Sequence, residues 1–142
     1  MNKKGFSLVE LLAVIVILGI LAVITAPIIT GVIEDSRISG FKSSLTGMKK
    51  AIETDYSEHK FDTTRKYRYS NKKLMEINTN TEIEVSGHIN GTGKGAISAS
   101  GTVTFGAYNE KYCGITNGSN VKLAGENGYT YDACKAEVEG IN

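Results

Sequence analysis

The chain has 142 residues, which is about the length of one domain. Its 16 basic and 15 acidic residues nearly balance, so the bulk charge does not favour nucleic acid or anionic lipid as a partner. Sixteen glycines, one proline and no tryptophan favour a turn-rich β component over a helical bundle. Evidence for a binding partner must therefore be sought in local patterns of the sequence.

An uncharged apolar stretch occupies residues 11–33. As a helix, its roughly 23 residues are about 34 Å long, which is enough to cross the hydrocarbon core of a bilayer. Lys3 and Lys4 precede it, and the positive-inside rule places that end in the cytoplasm and the rest of the chain outside. A secretory signal peptide is not predicted, because the small residue Gly5 comes before the apolar run and not after it.

The segment that opens this stretch combines a basic leader, a glycine, a phenylalanine and a glutamate. It reads Lys4-Gly5-Phe6-Ser7-Leu8-Val9-Glu10-Leu11-Leu12, with Pro27 further along the same predicted helix. This combination resembles the prepilin signature of type IV pilins and related pseudopilins. The resemblance implies an α+β, pilin-like fold in which a long N-terminal helix packs on an antiparallel sheet of about four strands.

Processing and assembly are further implications of the resemblance. A prepilin peptidase would cut between Gly5 and Phe6, so that residues 1–5 are a leader peptide and the apolar helix is kept. The new amine of Phe6 would be N-methylated. An assembly platform and an ATPase would move the subunit into a helical homo-oligomer. We expect a prepilin in the inner, or cytoplasmic, membrane with its N-terminus in the cytoplasm, and an extracellular fimbrium after assembly.

Glu10 lies just inside the apolar helix. A carboxylate in hydrocarbon costs about 2.5–3.5 kcal/mol on insertion scales and therefore needs a partner. The cation within reach is the amine of processed Phe6, either in the same chain or on a neighbouring subunit. The resemblance favours the neighbour, which makes Glu10 an assembly and register residue, because another offset leaves a charge unpaired. The alternative is a carboxylate that only sits at the headgroup interface.

Gly19 and Pro27 predict a helix kink within residues 6–33, the transmembrane and filament-core half of the helix. Pro27 removes a backbone donor, and glycine destabilises a helix relative to alanine. A bent helix could pack closely with sister helices. The alternative is an ordinary anchor that tolerates a proline.

Residues 34–142 are predicted to form a globular headgroup into which the helix continues as an amphipathic half. Asp55 falls on its polar side. This half carries a short apolar stripe along one side of the helix. Because a β-rich segment follows, docking of the stripe on a sheet is favoured over a coiled-coil seam. Apolar residues recur there at spacings of three and four, at Ile38, Phe41, Leu45, Met48, Ile52 and Tyr56.

Residues 58–80 are predicted to be a connecting loop, and its segment 60–73 is basic with two tyrosines. Basic residues alternating with aromatics can bind single-stranded nucleic acid by phosphate contact and base stacking. DNA is therefore a candidate partner, and a solvated loop or a subunit contact is the alternative. The residues concerned are Lys60, Arg65, Lys66, Arg68, Lys72 and Lys73, with Tyr67 and Tyr69.

Alternating apolar residues predict an antiparallel sheet within residues 81–142. Residues 129–138 are expected to form a final strand or an irregular loop. The glycine-rich segment at residues 90–95 is predicted to be a hairpin turn. Strands are expected near residues 83–89, 97–107, 108–116 and 120–124.

Cys113 and Cys134 are the only cysteines, and both follow the apolar segment. If that part of the chain lies outside the cytoplasm, the two can form a disulfide. Such a bridge contributes about 3 kcal/mol in the chain-entropy picture. The alternative is two free buried cysteines.

No enzyme, metal site or cofactor is predicted. The glycines near residue 93 do not form a phosphate-binding loop, because His88 stands where a glycine is needed. His59 and His88 are isolated, and the two carboxylates Glu126 and Asp132 are too few to predict a calcium site. No nucleophile, base and orienting group occur together.

The resemblance implies a structural subunit of a type IV pilus, polymerised through its N-terminal helix for adhesion, twitching motility or related roles. The first alternative is a pseudopilin of a type II secretion or DNA-uptake system. The alternative from another class is a membrane-tethered binding module that does not polymerise.

Overall fold

A computed structural model describes residues 5–142 of the chain. The chain divides into two compact units, of which the first ends at Arg37 and the second runs from Ile38 to Asn142. Across the described residues there are two helices and seven strands. Their bounds are α1 Leu8–Glu58, β1 Lys66–Ser70, β2 Lys73–Glu76, β3 Glu82–Ile83, β4 Thr92–Ile97, β5 Val103–Tyr108, β6 Cys113–Asn117, β7 Asn120–Leu123 and α2 Tyr131–Glu139.

The N-terminal unit contains the apolar part of α1, and the side chains of residues 8–33 are all exposed in it. Among the described residues, α1 holds the one segment that is long and apolar enough to cross a membrane. Thr25 and Thr30 donate their hydroxyl hydrogens to carbonyl oxygens of the preceding turn, so they add no free polar group to this surface. Pro27 lies inside α1, and the kink at Gly19 and Pro27 stays a prediction.

In the C-terminal unit, α1 packs one side against the sheet. Ile38 and Tyr56, at the two ends of the predicted stripe, remain partly exposed. The prediction of one apolar stripe docked on a sheet is confirmed. The four central residues of the stripe are buried among side chains of the strands: Phe41, Leu45, Met48 and Ile52 pack with Tyr67, Tyr69, Leu74, Ile97, Val103 and Phe105.

The strands form one antiparallel sheet in the order β3-β2-β1-β4-β5-β6-β7. The predicted α+β class is confirmed, whereas the expected number of about four strands is wrong because the sheet has seven. Two of the additional strands, β1 and β2, lie within residues 58–80, which were predicted to be a loop. Their cations occupy the exposed positions of a period-two pattern whose other positions face the core, and the basic composition obscured that period.

The glycine-rich segment at residues 90–95 is not a hairpin turn, because most of it belongs to β4. Gly95 faces α1, and a Cβ there would lie 2.6 Å from Ile52 Cδ1 and 3.1 Å from Phe105 Cδ2. The missing side chain thus lets the helix approach the sheet closely. The chain turns instead between β4 and β5, where Ser98 N donates to Thr102 O at 2.9 Å.

The C-terminal tail forms α2, where a strand or an irregular loop was expected. Thr130 caps this helix, since its hydroxyl oxygen accepts a hydrogen bond from Ala133 N at 3.2 Å. Cys134 and Val138, four residues apart and thus on one side of the helix, are buried with Ile115 of β6. Only these two buried residues show the spacing of four that predicts a helix. The helical pattern was too short to recognise in the sequence.

The predicted disulfide is confirmed: Cys113 of β6 is bonded to Cys134 of α2. The bridge joins residues 21 apart in the chain and holds α2 against the side of the sheet opposite α1. In the chain-entropy picture a loop of that length contributes about 3 kcal/mol.

Segment 84–89 crosses α1 where Gly47 has no side chain. A Cβ on Gly47 would overlap the carbonyl oxygen of Ser86. The end of the segment is fixed by Tyr69, whose hydroxyl donates to Ile89 O at 3.0 Å and accepts from Ile89 N at 2.9 Å. The segment therefore cannot retreat from α1 without breaking buried hydrogen bonds.

We expect Gly47→Ala to lower the free energy of unfolding by about 1–3 kcal/mol, because the added methyl group meets fixed backbone. The matched control is Gly40→Ala in the same helix, where a Cβ meets nothing within 4 Å. That change should stabilise the chain by about 0.5–1 kcal/mol. Chemical denaturation of the full chain in non-ionic detergent measures both, and equal effects would contradict the close packing.

Candidate assembly segment

The first turn of α1 is closed by a reciprocal pair of hydrogen bonds. Ser7, directly before the helix, accepts a bond from Val9 N through its Oγ at 3.3 Å. The Glu10 carboxylate in turn accepts a bond from Ser7 N at 2.9 Å. This is a capping box, which satisfies backbone donors that the start of a helix leaves free. Glu10 therefore has a hydrogen-bond partner in its own chain.

Sequence reasoning missed this capping box, although its Ser-x-x-Glu spacing can be read in the chain. Only the Phe6 amine was considered as a partner for Glu10. The Ser7 N–H is neutral, so its hydrogen bond orients the carboxylate without neutralising it. Glu10 is exposed in the single chain, so its carboxylate remains accessible to an external cation. Its role in assembly and register stays a prediction.

The predicted cleavage point lies immediately before the capped turn. Gly5 and Phe6 are outside α1, and the Phe6 side chain is 86% exposed. An exposed, non-helical peptide bond is accessible to a peptidase. The rest of the predicted leader, including Lys3 and Lys4, lies outside the described residues. Cleavage at this bond and methylation of Phe6 remain predictions.

A buried ion pair joins the last turn of α1 to the residue directly before β1. Asp55 and Arg65 are each only 7% exposed. The Asp55 carboxylate accepts hydrogen bonds from Arg65 Nε at 2.8 Å, from Arg65 Nη2 at 3.2 Å and from the Tyr67 hydroxyl at 2.7 Å. Burial lowers the pKa of Arg65, but hydrogen bonds with Tyr67 and Asp55 outweigh burial and leave that pKa raised.

This cluster corrects two predictions. Asp55 was placed on the polar side of the helix, and it is buried instead. Arg65 was counted in a nucleic-acid patch, and its guanidinium is occupied by Asp55. Burial, followed by the bond to Asp55, also raises the pKa of the Tyr67 hydroxyl. Helical periodicity could not reveal a pair whose members are ten residues apart on different elements.

The two tyrosines of segment 60–73 are not available for base stacking. Tyr67 and Tyr69 are 1% and 0% exposed and belong to the core between α1 and the sheet. The stacking part of the predicted nucleic-acid site is therefore wrong. Lys66 and Arg68 alternate with them along β1 and are exposed on the opposite face.

Glu76 is a second buried carboxylate, at the end of β2. It accepts hydrogen bonds from Asn78 N at 3.1 Å, from Thr79 N at 2.6 Å and from Thr79 Oγ1 at 2.5 Å. Burial raises the pKa of Glu76, but these hydrogen bonds and the charge of Arg65 together bring it below its ordinary value. The ionised carboxylate thus closes the turn after β2.

Comparison with known proteins locates a match in the N-terminal segment. Residues 1–26 match the prokaryotic N-terminal methylation motif. Two type IV major fimbrial proteins, both FimA of Dichelobacter nodosus, are each 44% identical to this chain over 52 residues. Those residues are 37% of this chain and 33% of each relative, so the chain covers only about a third of the relatives' length. No solved structure shows a significant match.

We expect Asp55→Ala to lower the free energy of unfolding by about 3–5 kcal/mol, because it leaves the buried Arg65 guanidinium without an anion. Glu53→Ala is the matched control on the same helix. Glu53 forms an ion pair with Lys49 in which its side chain is 43% exposed, so its loss should cost at most about 1 kcal/mol. Thermal and chemical unfolding measure both variants, and similar losses would contradict the importance of the buried pair.

We expect the stability of the chain to fall in acid partly through Glu76. Its pKa in the folded state is below the ordinary value of 4.5, so the ionised carboxylate stabilises the fold above that pH. The contribution disappears as the pH falls through the lower, folded-state pKa. Glu76→Gln should cost about 1–3 kcal/mol at neutral pH and progressively less in acid.

Denaturation at a series of pH values tests this, with Glu84→Gln as the control because Glu84 is an exposed carboxylate. The free-energy difference between wild type and Glu76→Gln should shrink below about pH 4.5, whereas the control should stay close to wild type throughout. A difference that is constant with pH would rule out the proposed role of the ionised Glu76.

Proposed function

We propose that this chain, a type IV pilin by its N-terminal methylation motif and its similarity to the fimbrial proteins, is a structural subunit of a pilus filament. The observation that carries the proposal is the motif at residues 1–26 on a helix whose apolar side chains are exposed over residues 8–33. Such a helix needs an apolar environment on every side. The membrane supplies it before assembly, and the helices of sister subunits supply it afterwards.

Processing prepares the subunit for this transfer. A prepilin peptidase removes residues 1–5 and with them Lys3 and Lys4, which hold the N-terminus at the cytoplasmic side of the membrane. The new amine of Phe6 is then N-methylated. The disulfide between Cys113 and Cys134 supports a headgroup outside the cytoplasm, because such bridges persist in oxidising compartments. The assembled fibre is extracellular and serves adhesion or surface motility.

The driving chemistry belongs to partners of the subunit. An assembly platform and an ATPase supply the work that lifts the processed chain from the bilayer. Moving the helix from lipid into the filament core costs little free energy. Lipid chains and neighbouring apolar helices are about equally apolar surroundings for residues 8–33. Association then depends on close packing and on the few polar groups of the helix.

Glu10 supplies the register between subunits in this proposal. Its carboxylate is exposed and is oriented by the Ser7 N–H at the start of α1. A neighbour's Phe6 amine neutralises it only at one axial offset. At any other offset, a carboxylate and an amine both remain unpaired in apolar surroundings, which is strongly unfavourable.

Substitutions at Glu10 can separate its charge from its part in the capping box. Glu10→Gln retains an oxygen that accepts from Ser7 N, since glutamine also closes a capping box, but it removes the charge. We expect fibre yield to fall about tenfold or more in Glu10→Gln and in Glu10→Ala, because an unpaired amine in the core costs about 3 kcal/mol. Both variants should still insert into the membrane.

Ser7→Ala is the matched control, because it weakens the cap by about 0.5–2 kcal/mol and leaves the carboxylate in place. Fibres sheared from cells are counted by electron microscopy and quantified with membrane-bound subunit on immunoblots. Normal fibres from Glu10→Gln would contradict the role of the charge. Mass spectrometry of wild-type fibres should find a methylated Phe6 as the first residue, and a subunit that retains Met1 in a processing-competent cell would contradict the proposal itself.

A further inference from the structure

The sheet has an open edge at β3. In an antiparallel pair, alternate residues direct their backbone N–H and C=O groups to the neighbouring strand, and the residues between them direct theirs away. Glu76 N of β2 donates to Thr81 O at 2.9 Å. Ile83, two residues further along, lies opposite Leu74 of β2. The backbone N–H and C=O groups of Glu82 therefore point out of the sheet, away from β2.

This alternation continues past the end of β3. Ile83 and Val85 pack against the core, whereas Glu82 and Glu84 are exposed. Within residues 5–142, no backbone hydrogen bond satisfies the outward N–H and C=O groups of Glu82 and Glu84. The edge thus offers a donor and an acceptor on each of these residues, and an unpaired edge of this kind is a template for pairing with another strand.

The opposite edge of the sheet, at β7, is closed by its own chain. Leu123 N donates to Glu126 Oε2 at 3.3 Å, and Leu123 O accepts from Glu126 N at 3.3 Å. This turn uses backbone groups of β7 that would otherwise be available to another strand. An incoming strand therefore pairs more readily at β3.

A groove runs beside the β3 edge along one side of α1. It has a volume of about 890 Å³ between α1 and residues 81–86. The side chains of α1 that line it are small or polar, so an extended chain can lie beside β3 and against the helix. They recur at helical spacings of three and four and include Ser43, Gly47, Lys50, Thr54 and Glu58.

The charges at this edge favour a basic strand. Glu84 and Glu58 are exposed and form no ion pair in the described part of the chain. Glu82 pairs with Lys73 at 2.6 Å, and about half of each side chain stays exposed. On an added strand, the residues opposite Glu82 and Glu84 are two apart and share one face of the sheet. Opposite charges at directly opposed positions stabilise a sheet, and like charges destabilise it.

We propose that β3 and its groove bind an extended segment of another protein, which adds to the sheet as a further strand and carries Lys or Arg at alternate positions. In this mode of recognition, main-chain hydrogen bonds supply affinity and alternate side chains supply specificity. The basic residues of the added strand face Glu82 and Glu84, and the residues between them face the groove beside α1. The proposal does not rest on the proposed function, because the C-terminal unit alone carries the whole site.

A second copy of this chain is a poorer occupant than a basic segment of another protein. Pairing β3 of one copy with β3 of the other would bring the glutamates at positions 82 and 84 together, which is unfavourable. Pairing with β7 of another copy would require the turn between Leu123 and Glu126 to open. The two edges are thus protected against each other, whereas β3 stays open to a strand of opposite charge.

Hydrogen exchange measured by NMR tests the proposal, using the isotope-labelled full chain in non-ionic detergent. The probe is a blocked pentapeptide of alternating lysine and valine, and the control peptide has glutamate in place of lysine. The lysine peptide should slow exchange at the amides of Glu82 and Glu84, since both become hydrogen-bonded. It should bind at least about tenfold more tightly than the glutamate peptide, and its affinity should fall between about 50 and about 200 mM salt.

N-methylated peptides distinguish strand addition from simple attraction between charges. Methylation at the lysine amides removes the donors that face Glu82 and Glu84, and should weaken binding by about tenfold. Methylation at the valine amides is the matched control, because those amides point away from β3. It should change affinity by less than about twofold.

Substitutions in the chain make the same distinction from the other side. Glu82→Pro removes the outward N–H but leaves the hydrogen bonds to β2 in place, because proline is tolerated at such a position of an edge strand. Affinity for the lysine peptide should fall by about tenfold, with little change in thermal unfolding. Glu82→Gln retains the N–H and should weaken binding by no more than about fivefold. Glu84→Pro repeats the test if Glu82→Pro does not fold.

Strand addition at β3 predicts a different result from each rival explanation. Unchanged exchange at Glu82 and Glu84 in the presence of the lysine peptide would overturn the proposal. So would equal effects of methylation at lysine and at valine, or equal binding of the lysine and glutamate peptides. Self-association that Glu82→Pro abolishes, without any binding of peptide, would identify the edge as a contact between copies and would also reject the proposal.

Discussion

The apolar side chains of residues 8–33 are exposed throughout the described part of the chain, and the proposed function depends on this exposure. Water is an unfavourable environment for such a helix, and we propose that lipid, and later other copies of the helix, enclose it. Because both environments are apolar, the hydrophobic effect discriminates little between them. In the filament that we propose, the arrangement of subunits therefore depends on the few charged and polar groups near the helix start, of which Glu10 is the clearest.

The same helix changes character in the C-terminal unit, where only one side of it is apolar. Docking there depends on close approach: Gly95 lets the helix approach the sheet, and Gly47 admits segment 84–89 to its side. The buried pair of Asp55 and Arg65 then ties the end of the helix to β1. Burying an ion pair costs desolvation free energy. Separating its members would leave a buried charge unpaired, so arrangements that part the two elements are strongly disfavoured.

The charged residues of this chain fall into a buried group and an exposed group. In the C-terminal unit, Asp55, Arg65 and Glu76 are buried and hydrogen-bonded within the chain, so they stabilise the fold and are not available to partners. By contrast, Glu10 at the start of α1 and Lys66 and Arg68 of β1 are exposed and form no ion pair in the described part of the chain. Unbalanced charges at accessible positions are the ones that can specify an interaction.

Local and periodic features could be predicted from the amino-acid sequence. The apolar span, the processing motif, the central stripe of α1 and the pairing of Cys113 with Cys134 each depend on residues near one another or on a simple count. The number of strands, the burial of Asp55 with Arg65 and the direction of the tyrosines on β1 came only from the folded chain. These features depend on which distant segments come into contact. The residues next to a position in the sequence do not determine those contacts. A lysine-rich strand resembles a loop until its alternate side chains are seen to line a core.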